Sequence, residues 1–272
     1  MVPLRYWCLR LARRQIPQRV VEWMLERGVV LRPGLETSDP EGAVGRYAGV
    51  LRRGGRSFAA STVVVVGYGG GLGVALHLLE AGAERVVLQD PFAPRRQRRD
   101  TRLDPQLLGR YCRREGEEWI PDPRRVELFH QPLARLAERS PEGAGYLLST
   151  SVLEHVRDLQ EIVRACARLT RPGGLNVHFV DLRDHFFLYP FEMLCYSEET
   201  WTRWLDNRYH LNRLRWRDYE STWKEYFPDT EIEGIESLPE EFRRARPRIR
   251  PEFLTGDDRI DSVGQILITA PR

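Results

Sequence analysis

A glycine-rich turn between two apolar runs is the part of this sequence best suited to bind a ligand. Thr62–Val66 contains four consecutive valines, a pattern typical of a strand buried on both faces of a parallel sheet. Glycines follow it, which allow positive φ and the close approach of a ligand: Gly67, Gly69, Gly70, Gly71 and Gly73. A helical apolar pattern, a second strand at residues 86–88 and then Asp90 come next. An acid at that strand tip can accept hydrogen bonds from a ribose, so the stretch predicts a βαβ unit that binds a nucleoside.

The spacing of the glycines argues against a dinucleotide. The dinucleotide fingerprint needs glycines at positions i, i+2 and i+5. Leucine or valine stands five residues after each of Gly67, Gly69 and Gly71, so the fingerprint fails in every register. An NAD-dependent oxidoreductase is therefore the less favoured alternative. The pattern that holds is G-x-G-x-G at these three positions.

Polar side chains follow the third and fourth predicted strands. Residues 126–130 are predicted to form the third strand, with Gln131 just past its end. Residues 145–151 are predicted to form the fourth strand, and Glu154 and His155 follow it directly. Because parallel strands end at one edge of the sheet, ligands of open α/β folds bind there.

A fifth strand is predicted at residues 176–180. A helix precedes it and is expected to end before Pro172-Gly173-Gly174, since proline and glycine are helix-stop residues. Asp181, Asp184 and His185 lie just beyond the strand. These side chains are expected at the same edge of the sheet as Glu154.

The glycine loop and two later segments together resemble a known family. Residues 148–158, followed by Leu169-Thr-Arg-Pro-Gly-Gly174, are similar to motif IV and the region after it in class I S-adenosylmethionine-dependent methyltransferases, in the branch that includes quinone-biosynthesis enzymes. The resemblance covers about residues 60 to 180, together with a predicted hairpin of residues 230–237 and 263–269. It implies an α/β, Rossmann-like fold with a seven-stranded, mostly parallel sheet that closes with this antiparallel hairpin.

The same resemblance implies a cofactor and the residues that hold it. S-adenosylmethionine would be the methyl donor, with S-adenosylhomocysteine as the product. Gly67, Gly69 and Gly71 would shape the methionine end of the site, Asp90 would hold the ribose hydroxyls, and Gln131 would lie near the adenine. The other expected cofactor-binding positions are Tyr68, Pro91 and Ser151.

Two positions depart from the family pattern. An acid usually stands two residues before the first glycine, where this chain has Val65, and an aspartate usually opens the fourth strand, where it has Gly145. These departures motivate an alternative function, a non-catalytic scaffold that binds S-adenosylmethionine or S-adenosylhomocysteine.

The acceptor is predicted to be a small molecule methylated on oxygen, such as a sugar, a glycan precursor or a secondary metabolite. The N-P-P-Y-type tetrapeptide of base and amide N-methyltransferases is absent. An oxygen acceptor loses a proton as it is methylated, and a positioned base accelerates this by about 10²–10⁴-fold. Histidine titrates near neutrality, so His185 is the first candidate and His155 the second, with Asp184 or Asp181 orienting His185. Glu154 is a further candidate, and no metal cluster is visible in the sequence.

Length and composition predict one soluble α/β domain. The 272 residues are 42% apolar and 30% charged. Residues 1–60 are expected to form a helical N-terminal extension and residues 61–272 the methyltransferase domain, with a cap segment at about 181–228. The cysteines lack C-x-x-C spacing, arginines interrupt the N-terminal apolar runs, and no window is apolar enough to span a membrane. A cytoplasmic protein is therefore expected.

The N-terminal helix and the cap are the least generic parts of the chain. Leu4, Trp7, Cys8 and Leu11 fall on one helical face with arginines on the other. This face is expected to pack on the sheet or on a second subunit, which would make a homodimer, with a membrane-surface helix as the alternative. The cap is rich in aromatic residues, of which Trp216, Tyr219, Trp223 and Tyr226 recur at helical spacing and are predicted to be core. The remaining cap aromatics, with Asn212 and Arg213, could line a substrate pocket.

An arginine run follows Asp90, at positions 95, 96, 98, 99 and 102. Acidic residues are interspersed and no stacking aromatic motif accompanies it. The run is predicted to be a solvated loop, and no specific nucleic-acid partner is expected.

Overall fold

The computed structural model describes residues 4–15, 35–93, 103–116, 118–186, 188–206 and 210–272. The prediction for the arginine run at 95–102 lies outside these ranges. Within them, no helix has the length and apolarity needed to cross a membrane.

The first half of the chain begins with helices and then alternates strands with helices. Its described elements are α1 (Leu4–Gln15), α2 (Leu35–Ser38), α3 (Pro40–Arg53), β1 (Thr62–Val66), α4 (Gly73–Glu80), β2 (Arg85–Gln89), α5 (Pro105–Tyr111), β3 (Cys112–Glu115), β4 (Glu118–Pro121), β5 (Val126–Phe129) and α6 (Leu133–Arg139).

The second half completes the sheet around an irregular insertion. Its described elements are β6 (Ala144–Thr150), a 3₁₀ turn (Leu153–His155), α7 (Leu159–Leu169), β7 (Thr170–Asp181), a 3₁₀ turn (Glu192–Cys195), α8 (Glu198–Thr200), a π turn (Trp201–Leu205), α9 (Trp216–Tyr226), β8 (Glu231–Ser237), α10 (Pro239–Ala245), two 3₁₀ turns (Arg246–Arg248 and Pro251–Phe253), α11 (Asp258–Asp261) and β9 (Val263–Pro271).

The main sheet has seven strands in the order β5-β2-β1-β6-β7-β9-β8. The first five in this order are parallel, whereas β9 runs antiparallel to β7 and β8 antiparallel to β9. Val63 and Val65 of β1 enter one apolar cluster, and Val64 and Val66 enter the cluster on the opposite face. The predicted α/β fold, the buried first strand and the closing hairpin are therefore confirmed, and the parallel strands place their carboxyl ends at one edge.

Two local features differ from the sequence prediction. Strands β3 and β4 form a separate antiparallel hairpin that no motif indicated. Pro172-Gly173-Gly174 lies inside β7 and does not separate helix from strand, because α7 already ends at Leu169. The strand bulges there, since Ala144 pairs with Thr170 but Tyr146 pairs with Leu175, and Gly173 supplies a φ of +76°.

The buried face of α1 is not the face that the apolar pattern predicted. Leu4 is 78% exposed and Cys8 is exposed, whereas Tyr6 and Arg10 are buried. Arg10 Nη2 lies 2.5 Å from Asp184 Oδ1, and Tyr6 donates to Asp184 Oδ2 at 2.5 Å. A buried carboxylate needs such partners. The polar residues of α1 therefore determine how the helix packs, and its leucines do not.

The cap forms an apolar cluster of its own above the sheet edge. Phe191, Tyr196 and Trp201 pack there with Tyr6 of α1 and Phe242 of α10. Ser197 caps α8, because its hydroxyl accepts from the Thr200 N–H. Tyr219 and Trp223 of α9 are buried against the sheet, as their helical spacing indicated, whereas Trp216 and Tyr226 are only partly buried against the same cluster.

The buried imidazole of His178 on β7 is expected to make the stability of the fold depend on pH. Its Nδ1 lies 2.7 Å from Ser149 Oγ, and burial lowers its pKa from 6.5 to about 3. In the unfolded chain this histidine takes up a proton near pH 6.5, so the free energy of unfolding decreases as the pH falls from 6.5 towards 3. In His178→Asn, which keeps a polar partner for Ser149, we expect this decrease to be smaller by up to about 1.4 kcal/mol per pH unit.

Urea unfolding at a series of pH values measures this dependence. The control is His77→Asn, which replaces a half-buried histidine on α4. Equal pH dependence in His178→Asn and the unaltered protein would contradict the assignment of a neutral buried imidazole.

Candidate functional site

The glycine loop between β1 and α4 has the backbone conformation that its sequence predicts. Gly67, Gly69 and Gly70 have φ of +73°, +72° and +98°. A Cβ on Gly67 would stand 2.4 Å from Val152 Cγ2, and one on Gly69 would stand 2.8 Å from Thr37 Oγ1. Side chains at these positions would collide with neighbouring segments, so the glycines also let three parts of the chain meet.

Asp90 lies at the carboxyl end of β2, beside this loop. Its Oδ2 accepts from the Gly69 N–H at 3.1 Å, and its Oδ1 accepts from the Phe92 N–H at 2.8 Å. Pro91 and Phe92 are exposed, and Phe92 is 93% exposed. The carboxylate thus connects the glycine loop to the β2 turn, where a ribose can reach it.

Tyr68 and Gln131 occupy different positions relative to the edge. Tyr68 is buried, its hydroxyl lies 2.9 Å from His130 Nε2, and burial raises its pKa to about 12. The Tyr68 side chain therefore stabilises the glycine loop from within the apolar core. Gln131 is exposed just past β5, and its backbone carbonyl accepts from Gln89 Nε2 at 2.8 Å.

The short helix α2 covers the loop, a contact that no sequence motif indicated. Thr37 Oγ1 donates to the Tyr68 carbonyl at 3.3 Å. Glu36 is buried and accepts from the Tyr47 hydroxyl at 2.7 Å, and that hydroxyl lies 2.8 Å from Thr150 Oγ1 at the end of β6. Burial raises the pKa of Glu36. The segment before β1 thereby places a carboxyl group at the sheet edge.

The turn after β6 carries Glu154 and His155. It begins at Ser151, which is exposed and has a φ of +54°. Glu154 is buried, and its Oε1 is 3.4 Å from the Asp181 N–H. Its Oε2 has no hydrogen-bond partner among the described residues. Burial is the main reason why the pKa of Glu154 lies well above its usual value.

His155 is held by the cap. Its Nδ1 lies 2.8 Å from the carbonyl oxygen of His210, and the Asn212 N–H donates to the Glu154 carbonyl at 2.9 Å. The Asn212 side chain donates to the Leu153 carbonyl at 2.7 Å. Asn212 therefore braces the turn after β6 through the backbone groups of that turn. Arg213, the other residue expected to line a pocket, is buried and donates to carbonyls of the cap itself.

The residues after β7 divide into two roles. Asp181 is paired with Arg183, with Oδ2 2.7 Å from Nη2, and Asp184 is paired with Arg10. Asp184 also accepts from the Phe186 N–H at 3.0 Å, which fixes the turn that carries His185. The His185 ring packs edge-on against His155, with centroids 4.9 Å apart.

The structure thus brings together Glu154, His155 and His185, whose ligand-capable atoms all lie within 4.8 Å of one another. Sequence patterns did not predict that these atoms would lie so close together, because His185 follows a different strand. The only signal was that both strands end at the same edge of the sheet.

The two departures from the family pattern are accommodated by packing. Val65 is buried in the core of β1. A Cβ on Gly145 would stand 3.2 Å from Ser61 Cβ and 3.2 Å from Arg171 Nη2. A larger residue at the start of β6 would therefore displace these neighbours.

With this geometry in place, comparison with known proteins identifies the family. The sequence matches the family described as "Methyltransferase domain" over residues 44–235, which include the glycine loop, Asp90 and the Glu154–His155 turn. The chain belongs to this family and is a class I methyltransferase that uses S-adenosylmethionine as its cofactor. No curated protein matches the sequence.

Solved structures are similar to this chain only at low sequence identity and low TM-score. A candidate S-adenosylmethionine-dependent methyltransferase from Listeria monocytogenes is 18% identical, with 85% of this chain and 99% of that chain covered and a TM-score of 0.47. A candidate methyltransferase from Bacillus halodurans is 14% identical, with 84% and 99% covered and a TM-score of 0.46. Phosphoethanolamine N-methyltransferase 2 from Haemonchus contortus, in complex with S-adenosylmethionine, is 16% identical, with 84% and 52% covered and a TM-score of 0.48. Values this low say nothing about the acceptor.

The position of Asp90 generates a test of the cofactor site. Asp90→Ala removes the carboxylate that would hold the ribose and also the acceptor for two loop amides. We expect the affinity for S-adenosylhomocysteine to fall at least about 10–100-fold, which corresponds to the loss of one charge-assisted hydrogen bond of roughly 1.5–3 kcal/mol. Asp90→Asn keeps an oxygen for the Gly69 N–H and should lose less.

Titration calorimetry with S-adenosylhomocysteine measures both variants. The control is Asp122→Ala, which removes a similar turn aspartate, one that accepts from the Arg124 N–H, at the opposite edge of the sheet. An unchanged dissociation constant in Asp90→Ala would rule out the ribose assignment.

Proposed function

We propose that this methyltransferase transfers the methyl group of S-adenosylmethionine to an oxygen of a small molecule such as a sugar, a glycan precursor or a secondary metabolite. The observation that carries the proposal is the group formed by Glu154, His155 and His185 at the carboxyl ends of β6 and β7. The same turn includes Val152, the side chain nearest to Gly67. A proton acceptor therefore stands next to the loop that would hold the methyl donor.

The cofactor is proposed to lie along the edge from β2 to β6. Asp90 and Pro91 would contact the ribose, and Gln131 would lie near the adenine. Gly67, Tyr68, Gly69, Gly71 and Ser151 would surround the methionine end. The buried carboxyl groups of Glu36 and Glu154 would be close to the positively charged sulfonium, where negative charge is stabilising.

The acceptor oxygen needs to lose its proton as the methyl group arrives. Its O–H bond breaks, its electron pair forms the new O–C bond, and the C–S pair returns to sulfur to give S-adenosylhomocysteine. We favour His185 as the group that receives this proton, with His155 second. Asp184 would act on His185 through the turn that it holds, because its carboxylate is paired with Arg10.

The cap is proposed to enclose the acceptor. It follows β7, contains an apolar cluster rich in aromatic side chains, and is fixed to the Glu154 turn by Asn212. Small-molecule sites are concave and lined mainly by apolar and aromatic side chains. A cap rich in aromatic residues therefore favours a small-molecule acceptor, and a nucleic-acid acceptor is not expected.

The test begins with a screen of hydroxylated metabolites for release of S-adenosylhomocysteine, which also distinguishes an enzyme from a non-catalytic scaffold. With an acceptor identified, we expect His185→Ala to lower turnover by about 10²–10⁴-fold. His155→Ala should lower it as well, and His77→Ala on α4 should leave it unchanged. Cofactor affinity is measured in each variant, so that a loss of binding is separated from a loss of chemistry.

Full turnover in both His185→Ala and His155→Ala between pH 6 and 9 would contradict a histidine base. Positioning of the two substrates alone would then account for the rate.

A further inference from the structure

Three side chains from two separate segments converge at the proposed methyl-transfer site. Glu154 and His155 come from the turn after β6, and His185 from the turn after β7. Each offers one ligand-capable atom, and these atoms lie within 4.8 Å of one another. Ligand atoms around a tetrahedral zinc ion stand roughly 3.3 Å apart at the usual bond lengths. Small rotations of these side chains would therefore bring them to a common cation.

The carboxylate of Glu154 is incompletely satisfied without such an ion. The residue is 2% exposed, its Oε2 has no hydrogen-bond partner among the described residues, and its Oε1 has only a 3.4 Å contact with the Asp181 N–H. By contrast, the buried carboxylates of Asp184 and Glu192 are paired with Arg10 and Arg248. A buried carboxylate oxygen without a donor is costly, and a cation is the partner that would offset that cost.

His155 is oriented as a ligand would be. Its Nδ1 lies 2.8 Å from the carbonyl oxygen of His210. A carbonyl oxygen only accepts, so Nδ1 carries the hydrogen and the lone pair of the neutral ring is on Nε2. Metal-binding histidines commonly donate their other ring N–H to a backbone carbonyl in this way.

The carbonyl that orients His155 is itself fixed. His210 has a φ of +27°, an uncommon conformation for a residue with a side chain, and its Nδ1 lies 2.7 Å from Asp206 Oδ2. Backbone held in sparsely populated conformations is concentrated at functional sites. The strained residue here supports the orientation of a ring at the cluster.

We propose that Glu154, His155 and His185 bind one divalent cation that accepts two imidazole nitrogens and a carboxylate. Zinc, cobalt, iron(II) and manganese suit this donor set, whereas magnesium and calcium prefer oxygen ligands throughout. Three protein ligands leave at least one coordination position open, which is the arrangement of catalytic metal sites.

The role of the cation rests on the proposed oxygen methylation but replaces the histidine base, because the acceptor hydroxyl would fill the open position of the cation. A hydroxyl bound to a divalent cation loses its proton more readily. The proton would pass to water, the oxygen would attack the methyl carbon, and the C–S electron pair would return to sulfur. In this account His155 and His185 act as ligands and do not themselves receive the proton.

The site is tested by cobalt(II) binding to the full chain, without cofactor or acceptor. The protein is treated with a chelator, dialysed and titrated with cobalt(II), and binding is followed by visible absorption and by metal analysis. We expect one cobalt per chain, with binding weakened more than about 100-fold in Glu154→Gln and in His185→Ala. His77→Ala should bind as the unaltered protein does.

Glu154→Gln has nearly the same volume and removes a buried charge, so it should fold, and circular dichroism with thermal unfolding checks this. Cobalt should raise the midpoint temperature of the unaltered protein and not that of Glu154→Gln, since a ligand stabilises only a fold that binds it. Absence of stoichiometric binding, or binding that persists in both Glu154→Gln and His185→Ala, would overturn the metal site.

These results are separable from the proposed function. If the chain binds no cobalt but His185→Ala abolishes turnover, the metal site fails and the histidine base stands. If cobalt binds as expected but no hydroxylated acceptor is methylated, the metal site stands and oxygen methylation fails.

Discussion

The close contact of three chain segments at Gly67 and Gly69 is the constraint on which the rest of the site depends. The loop after β1 can pass beneath both Val152 and Thr37 only because these two positions lack a Cβ. Val152 immediately precedes the 3₁₀ turn that contains Glu154, and Thr37 lies on α2, the helix that also contains Glu36. Since the backbone here also needs positive φ, the sequence has little freedom at these positions. The glycines therefore do more than admit a cofactor, because they bring both buried carboxyl groups to the same edge.

Charge is distributed unevenly around that edge. Asp181 and Asp184 are neutralised by Arg183 and Arg10 and serve to fix the chain after β7. The carboxyl groups of Glu36 and Glu154 are buried without an ion pair to any described arginine or lysine, and burial raises the pKa of each. Burying carboxyl groups with so little compensation is unfavourable for folding alone. The proposed binding of a sulfonium ion at this edge would supply the missing positive charge and so offset the unfavourable burial.

Much of the fold could be predicted from local patterns, and most of the site chemistry could not. Four consecutive valines, a glycine turn and an acid at the next strand tip predicted the first βαβ unit, because burial on both faces and positive φ each restrict the residue type. The prediction of which face of α1 packs within this chain was wrong, because Arg10 pairs with Asp184, far along the sequence. The edge that Glu154 and His185 share could be predicted, because each follows a parallel strand, but the close approach of their ligand-capable atoms could not. Local patterns report neighbours along the chain and not distances between residues on different strands. The side chains of Ser61 and Arg171 limit the space for a larger residue at position 145. No local sequence pattern reveals these contacts.

Hydrogen bonds join the cap to the turn that carries Glu154 and His155. This connection restricts which changes in the cap could alter the proposed acceptor specificity. Asn212 donates to backbone carbonyls of Leu153 and Glu154, and the His210 carbonyl accepts from His155. Next along the cap, Arg213 has a φ of +56° and donates to the carbonyls of Met193 and Tyr196. A change in the cap that widened the acceptor pocket would therefore shift the same backbone that positions Glu154 and His155. Small displacements of reacting groups are costly in rate, so acceptor choice is more easily altered at the aromatic side chains than in the path of the cap backbone.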